Sequence, residues 1–351
     1  MATTRDLARF RLAALGLAGP GFGTPTEAVR WLTAVQAQDY PGALAAVALR
    51  TRAAGRAEVE AALDAGAVVR SWPMRGTLHF VAAEDLSWML AVTGVRQQTA
   101  RRARQRQLEL TPEVLARGHD LAAAALSGGR ALTRRELFAV WEEAGIATGG
   151  QRGVHLVRHL AHEGVLCLGP VRGGGRQRFV LLEEWVPRPR ALDREEALAE
   201  LALRYFRSHG PATVADLARW TKLSLTDARA GLAAVRGELD ALVVGGTEYL
   251  MDPGTPALLD RHRERARGVL LLPGFDEYML GYGDRTAALP AEHADAIVPG
   301  GNGVFRATVV SDGQVVGTWR KGTGGRVEAT PFTAFADGVA EAVTKAYAEL
   351  P

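Results

Sequence analysis

The strongest constraint on this chain is a repeat. One supersecondary unit, two helices followed by two short strands around a turn, occurs three times. That is the sequence shape of a winged helix, a helix-turn-helix variant with a hairpin appended. The first copy runs from about residue 4 to 83. "TRDLARFRLAAL" reads as a helix, and "TPTEAVRWLTAVQAQ" as a second one. Thr24 caps the second helix, Pro25 sits in its first turn, and Glu27 completes a capping box. "RAEVEAALDAG" follows as a third helix closed by Gly66. "AVVRSWPMRGTLHFV" then alternates like two strands turning at Pro73.

The second copy opens at the capping box Thr133–Glu136 and ends its first helix at Gly145. "GGQRGVHLVRHLAHEG" is the candidate recognition helix, and "VLCLGPVRGGGRQRFVLL" is strand, glycine-rich wing, strand. Arg172, Arg176 and Arg178 crowd the wing, with Arg158 nearby. Glycine lets a loop approach a backbone closely, and flanking arginines suit phosphates or a minor groove. The third copy begins at "DREEALAELALRYFRSHGP". It continues through the helices "TVADLARWTKLS" and "SLTDARAGLAAV" to a hairpin with a Gly-Gly turn at 245–246. A strongly basic helix, "GVRQQTARRARQRQLEL", separates the first two copies; it reads equally as a solvated face or as a nucleic-acid contact. After residue 268 a buried strand enters an irregular loop, "VLLLPGFDEYMLGYGDR". A hairpin with Asp-Gly at its tip and a closing amphipathic helix follow.

The expected fold class is therefore α+β, with three tandem winged-helix units and a C-terminal β-hairpin and helix region. The expected divisions are residues 1–95, 96–190, 191–267 and 268–351. Three such units in one chain suggest a curved scaffold that holds a duplex, and basic wings favour DNA over a protein partner. The 351 residues suffice for two or three domains with their own cores. No run of eighteen apolar residues exists and no cleavable leader pattern opens the chain, so a cytoplasmic, nucleoid-associated protein with no membrane partner is expected. Of the 42 basic residues only Lys222, Lys321 and Lys345 are lysine, and arginine is the better fork for phosphates.

Candidate chemistry is sparse. The single cysteine, Cys167, excludes an intramolecular disulfide and a cysteine-rich zinc site, and its flank "GVLCLGP" reads as a buried strand. His155, His159 and His162 share a helical face beside Arg152 and Arg158, with Val154, Val157, Leu160 and Ala161 opposite. They read as a solvent or DNA face rather than a metal site. No G-x-S-x-G elbow and no P-loop occur. Asp276–Glu277 is an adjacent carboxylate pair, and such acids more often serve turns than chemistry. Gln36 and Gln38 stand two apart where Pro41 disfavours helix at Tyr40, so the helix is expected to unwind there and let the two amides converge.

Three separated motifs, "VQAQD", "MRGTLHFV" and "LLPGFDEYMLGYGDR", resemble the AlkZ/YcaQ-like family of winged-helix DNA glycosylases across nearly the whole chain. The resemblance implies three tandem winged helices in a C-shaped body around double-stranded DNA. It also implies hydrolysis of the N-glycosidic bond of N7-alkylated purines, as bulky monoadducts or interstrand crosslinks, by a monomer without metal or organic cofactor. The family's signature, glutamine, an apolar residue, then glutamine or aspartate, is matched by Gln36-Ala37-Gln38. The double-glutamine form resembles the azinomycin self-resistance branch. The resemblance makes Gln36 and Gln38 the catalytic pair. Gln38 is assigned to the attacking water and Gln36 to orienting it or contacting the lesion strand. Asp39 is the rival base, and Asp276 and Tyr278 are supporting candidates. Expected DNA contacts are Arg75, His79, Arg172, Arg176, Arg178, Arg306, Arg320 and Lys321. The resemblance further implies a C-terminal hairpin that probes the minor groove, and "VVSDGQVVGTW" is the candidate.

Overall fold

The structure, a computed structural model, describes residues 2–53, 55–171 and 177–351, with backbone alone for 95–101. Contacts divide the chain into two compact units, Glu60–Ala197 and a discontinuous one made of Met1–Val59 with Leu198–Pro351.

The unit Glu60–Ala197 holds a winged helix whose local signals are legible one by one. Thr133 caps the helix Arg134–Glu143 by accepting from Glu136 N, while Glu136 accepts from Thr133 N at 2.7 Å. Gly145, at φ 81°, follows that helix in the left-handed region where a side chain would be strained. The helices Pro112–Leu126, Arg134–Glu143 and Arg152–His162 bury Leu126, Leu137, Trp141 and Leu160 against Trp72 and Phe179. Strands Leu166–Leu168 and Phe179–Leu181 pair antiparallel, and a bridge from Leu132 to Phe179 adds a third edge. The hairpin Val68–Ser71 with His79–Ala82 extends this sheet through Arg70 opposite Leu168. Its turn runs over residues 72–78, with Arg75 and Gly76 both at positive φ.

Two expectations for the helix Arg152–His162 need correction. His162 is buried rather than on a solvent face, because its turn lies in the cleft lined by Ser87, Leu90 and Gly94 of the helix Leu86–Gln107. Val154, expected on the apolar face, is exposed. Among the described residues no three His, Cys, Asp or Glu side chains are grouped to hold a metal ion.

The discontinuous unit carries the other winged helix and the C-terminal sheet. Helices Val214–Thr221 and Leu225–Val235 follow the long helix Arg194–His209, of which the unit holds the part from Leu198. The hairpin Asp240–Val244 with Thr247–Met251 turns at Gly245–Gly246, both at positive φ, as a two-residue primed turn requires. A bridge from Ala212 to Leu250 mirrors the Leu132–Phe179 bridge of the other winged helix. The C-terminal sheet is antiparallel, in the order Val327–Pro331, Gln314–Lys321, Thr308–Ser311, Val269–Leu272. The helix Val339–Ala348 covers it, packing Val343 against Leu271 and Val309.

The first helices of this unit depart from expectation where it matters most. The helix Pro25–Leu32 stops six residues short of Gln38. Thr33 follows at φ 68°, Val35–Gln36 is a two-residue strand, and a new helix, Tyr40–Ala48, begins after Asp39. Pro41 therefore starts a helix instead of ending one. In a first turn its missing N–H costs nothing, because that group has no intrahelical partner anyway. The pair of amides is not on an unwinding helix but on an extended connector between two helices.

Candidate catalytic and nucleic-acid site

The connector gives the two glutamines different environments. Gln36 is 8% exposed, and no hydrogen-bond donor among the described residues reaches its Oε1. Gln38 lies at a bend and is exposed. Buried carbonyl oxygens are nearly always partnered in folded proteins, so an unpartnered one marks a place where a donor belongs. Asp39 forms the N-cap of the helix Tyr40–Ala48 without a side-chain cap bond. Its Oδ2 stands over Gly42, where a methyl group would collide with it and press on the Gly274 carbonyl. Glycine at 42 is what lets this carboxylate and the loop beginning at Gly274 lie so close to the helix.

The "PGFDEYMLGYGDR" loop supports the connector from behind. Asp276 is buried and accepts both ends of the Arg50 guanidinium, at 2.8 and 2.9 Å, while capping Tyr278 N. Arg50, also buried, spends its Nε on the Leu15 carbonyl at 2.8 Å. Asp276 thus serves the backbone, as adjacent acids in turns usually do. Tyr278 is fully buried and donates to the Gly313 carbonyl; burial pushes its phenol well up, so it neither titrates near neutrality nor faces solvent.

Glu277, 1% exposed, is the half of the carboxylate pair whose side chain does not serve the turn. Its Oε2 accepts from Trp220 Nε1 at 2.8 Å and faces His209 Nε2 at 3.4 Å. Its Oε1 accepts the backbone N–H of Gln36 at 3.4 Å. Behind it, Ser208 Oγ lies 2.8 Å from His209 Nδ1 and donates its own hydrogen to the Arg204 carbonyl. Ser208, His209 and Glu277 copy the order of a hydrolytic triad. The serine, however, is buried and its hydrogen is engaged, so no nucleophile is available. The available signal in the sequence was the second acid of "FDE", which has no turn role once Asp276 takes the cap.

The expected DNA contacts fare unevenly. His79 is buried, with Nδ1 on the Thr77 carbonyl at 2.9 Å and Nε2 on Arg75 at 2.8 Å, so it holds Arg75 instead of reaching outward. Arg178 is half-buried and donates to the Ala131 carbonyl at 3.2 Å, with Glu136 at 3.7 Å. Arg172 and Arg176 lie outside the described residues. Arg158 is drawn inward to the Gly76 carbonyl, and burial lowers its pKa. Arg306 is exposed and touches the Ala296 carbonyl.

The hairpin expectation is corrected at its tip. Asp312 and Gly313 turn the chain at φ 51° and 75°, but the turn is docked on the helix Thr4–Ala14. Arg9 forks onto Asp312 with two 2.8 Å bonds, and Gly313 abuts Ala8 and Arg9. That end cannot enter a groove. The opposite turn, Gly322–Arg326, carries exposed Arg320 and Lys321 on its flank, with Arg320 paired to Glu328 at 2.6 Å. Arg320 and Lys321 line a cavity of about 290 Å³ together with Pro41, Gly42, Gly274 and Trp319. The free end of the hairpin and the helix that follows Gln38 therefore share one wall.

A DNA glycosylase AlkZ-like family model matches residues 29–350, which spans the connector, the buried loop and the C-terminal sheet together. The chain belongs to the AlkZ-like DNA glycosylase family. Among relatives of this AlkZ-like glycosylase, the interstrand DNA cross-link repair glycosylase of Streptomyces sahachiroi is 29% identical over 317 residues. The match covers 84% of this chain and 81% of that one. The solved structure of the Streptomyces sahachiroi DNA glycosylase AlkZ superposes with a TM-score of 0.82 at 26% identity, over 99% of this chain and 96% of the other. An AlkZ-like glycosylase acts on DNA, and no helix among the described residues is long and apolar enough to cross a membrane.

Proposed function

We propose that this glycosylase releases cationic, N7-alkylated purines from duplex DNA as a monomer. Bulky monoadducts and interstrand crosslinks are its preferred lesions. The crosslink part of the reading draws on the name of the Streptomyces relative. The observation that carries the chemistry is the buried, unpartnered Oε1 of Gln36 beside an exposed Gln38. Glutamine does not titrate near neutral pH, so it cannot be the general base or acid that ordinary glycosidic cleavage needs. An N7-alkylguanine brings its own positive charge and leaves as a neutral base without protonation. The sugar becomes oxocarbenium-like, and a weakly nucleophilic water suffices if it is held in place.

Gln36 Oε1 is assigned to that water, because it is a carbonyl acceptor with no donor from the described residues. Its dipole also favours the cationic sugar. Gln38, on the surface, is assigned to the lesion strand, which reverses the division of labour expected from sequence. Asp39 stays as the rival base at the helix N-terminus. Arg320 and Lys321 are assigned to the DNA backbone beside the hairpin turn 322–326, the end of the hairpin that is free of the first helix.

Duplex DNA carrying N7-methylguanine, followed by alkali cleavage of abasic sites, tests the scheme. Strand breaks should appear with the wild-type protein and fall by at least about a hundredfold in Gln36→Ala, given what a lost positioning contact costs. Asp39→Asn should retain most activity. Full activity in Gln36→Ala, or its loss only in Asp39→Asn, would discard the amide mechanism. Tight binding without breaks would make the protein a DNA-binding regulator instead. A neutral lesion such as uracil should be a poor substrate, since it lacks the leaving-group charge.

A further inference from the structure

We infer that Glu277 is a positioning residue for the Gln36 amide, acting through the backbone of the connector and not through the substrate. The inference rests on the reading of Gln36 given above and goes beyond it. The connector is short. Val35–Gln36 is only two residues long, follows a left-handed Thr33 and precedes a cap without a side-chain bond. Its Gln36 N–H is given to Glu277 Oε1, a group from a loop 241 residues away in sequence.

Glu277 is itself held from the other side. Trp220 Nε1 donates to Oε2, and His209, stacked on Tyr205 at 4.8 Å and 12° between planes, faces the same oxygen. The Ser208 hydroxyl gives its hydrogen to Arg204, so it can only accept from His209 Nδ1–H. Trp220 Nε1 and the His209 ring together occupy the Oε2 side of the carboxylate. Oε1 is thereby left pointing at the connector. The winged helix that carries His209 and Trp220 and the buried loop thus act as one brace, and its outer end is the backbone of Gln36. A displacement of about 1 Å at a reacting group can cost roughly a hundredfold in rate, so such a brace has kinetic consequence.

Two conservative substitutions separate positioning from plain charge balance. Made on a Trp220→Phe parent, where no indole N–H competes for its one oxygen, Glu277→Gln keeps an acceptor at full reach for Gln36 N–H but removes the charge. Glu277→Asp keeps the charge opposite His209 but draws the acceptor back by one methylene. Under single-turnover conditions with N7-methylguanine duplex, Glu277→Gln should stay within about fivefold of its Trp220→Phe parent. Glu277→Asp should lose about ten- to a hundredfold, with the DNA Kd of both within about twofold. In a Gln36→Ala background neither change should reduce the rate further, because residues that act as a unit are not additive. A structural ion-pair role gives the reverse order, with aspartate at or above glutamine and equal losses in both backgrounds, and that result overturns the inference. Hydrogen exchange at the Gln36 amide supplies a readout that needs no substrate. It should quicken in Glu277→Asp and stay near the Trp220→Phe parent in Glu277→Gln made on it, while unchanged exchange in Glu277→Asp also overturns it. Were the wild-type protein inactive on methylguanine, the proposed chemistry would fall while the exchange order would still decide the role of Glu277.

Discussion

At the scale of single residues, two adjacent acids have divergent tasks. Asp276 neutralises a guanidinium sealed among backbone carbonyls, and Glu277 braces the connector. A charge that stays buried after its partner is removed is costly, by about 3–5 kcal/mol for a broken buried pair. Asp276→Asn is therefore expected to lower the unfolding free energy by an amount near the lower end of that range, since asparagine can still accept one Arg50 bond. Urea denaturation measures it, and an unchanged midpoint would contradict the pairing. The sequence pointed to the carboxylate pair but not to its division, because nothing local says that Arg50, 226 positions away, will meet Asp276. The same applies to His79 and Tyr278. Both stand in motifs that resemble a family's site, yet both are buried and bonded to nearby backbone or side-chain groups. Residue type told of importance, and only packing could tell of exposure.

At the scale of elements, cap and turn chemistry was readable and helix continuation was not. The boxes at Thr24–Glu27 and Thr133–Glu136, the Gly-Gly turn and the Asp-Gly turn all fall where their residues require. The helix across Gln36 and Gln38 failed because "TAVQAQ" keeps a helical apolar spacing while Thr33 and Val35, both β-branched, leave the helix. The hairpin Thr308–Ser311 with Gln314–Lys321 was foreseen, but not which end is free, since that depends on Arg9 reaching Asp312 from 303 residues away. One cap spans local and tertiary structure. Thr213 caps the helix Val214–Thr221, and Asp216 bonds Thr213 N at 2.9 Å and Gly283 N at 2.7 Å. Thr213→Ala should cost about 1 kcal/mol, the usual value of a lost N-cap. Asp216→Ala should cost more, because it also releases the loop that carries Glu277. Equal denaturation midpoints for the two variants would show that the Gly283 bond adds nothing.

At the scale of the whole molecule, the two units differ in how their chain is assembled. All fifteen buried residues of the core built on Trp72, Trp141 and Phe179 come from within Glu60–Ala197. An isolated fragment of those residues is expected to melt cooperatively, because a domain with its own core can fold alone. Met1–Val59 by itself should show no cooperative transition, since Arg50 and Arg9 find Asp276 and Asp312 only in the last part of the chain. Differential scanning calorimetry of the two fragments decides between these outcomes. The discontinuity also sets an order of events on the ribosome. The first 59 residues emerge early, yet the rest of their compact unit begins at Leu198, after the 138 residues from 60 to 197 have been made. At roughly 5–20 residues per second that is a wait of about 7–28 seconds. Throughout that interval the connector bearing the two glutamines waits for Asp276 and Glu277, while the middle of the polypeptide can already be finished. Ribosome pausing within the first half of the message should therefore be tolerated far less well than pausing after Leu198.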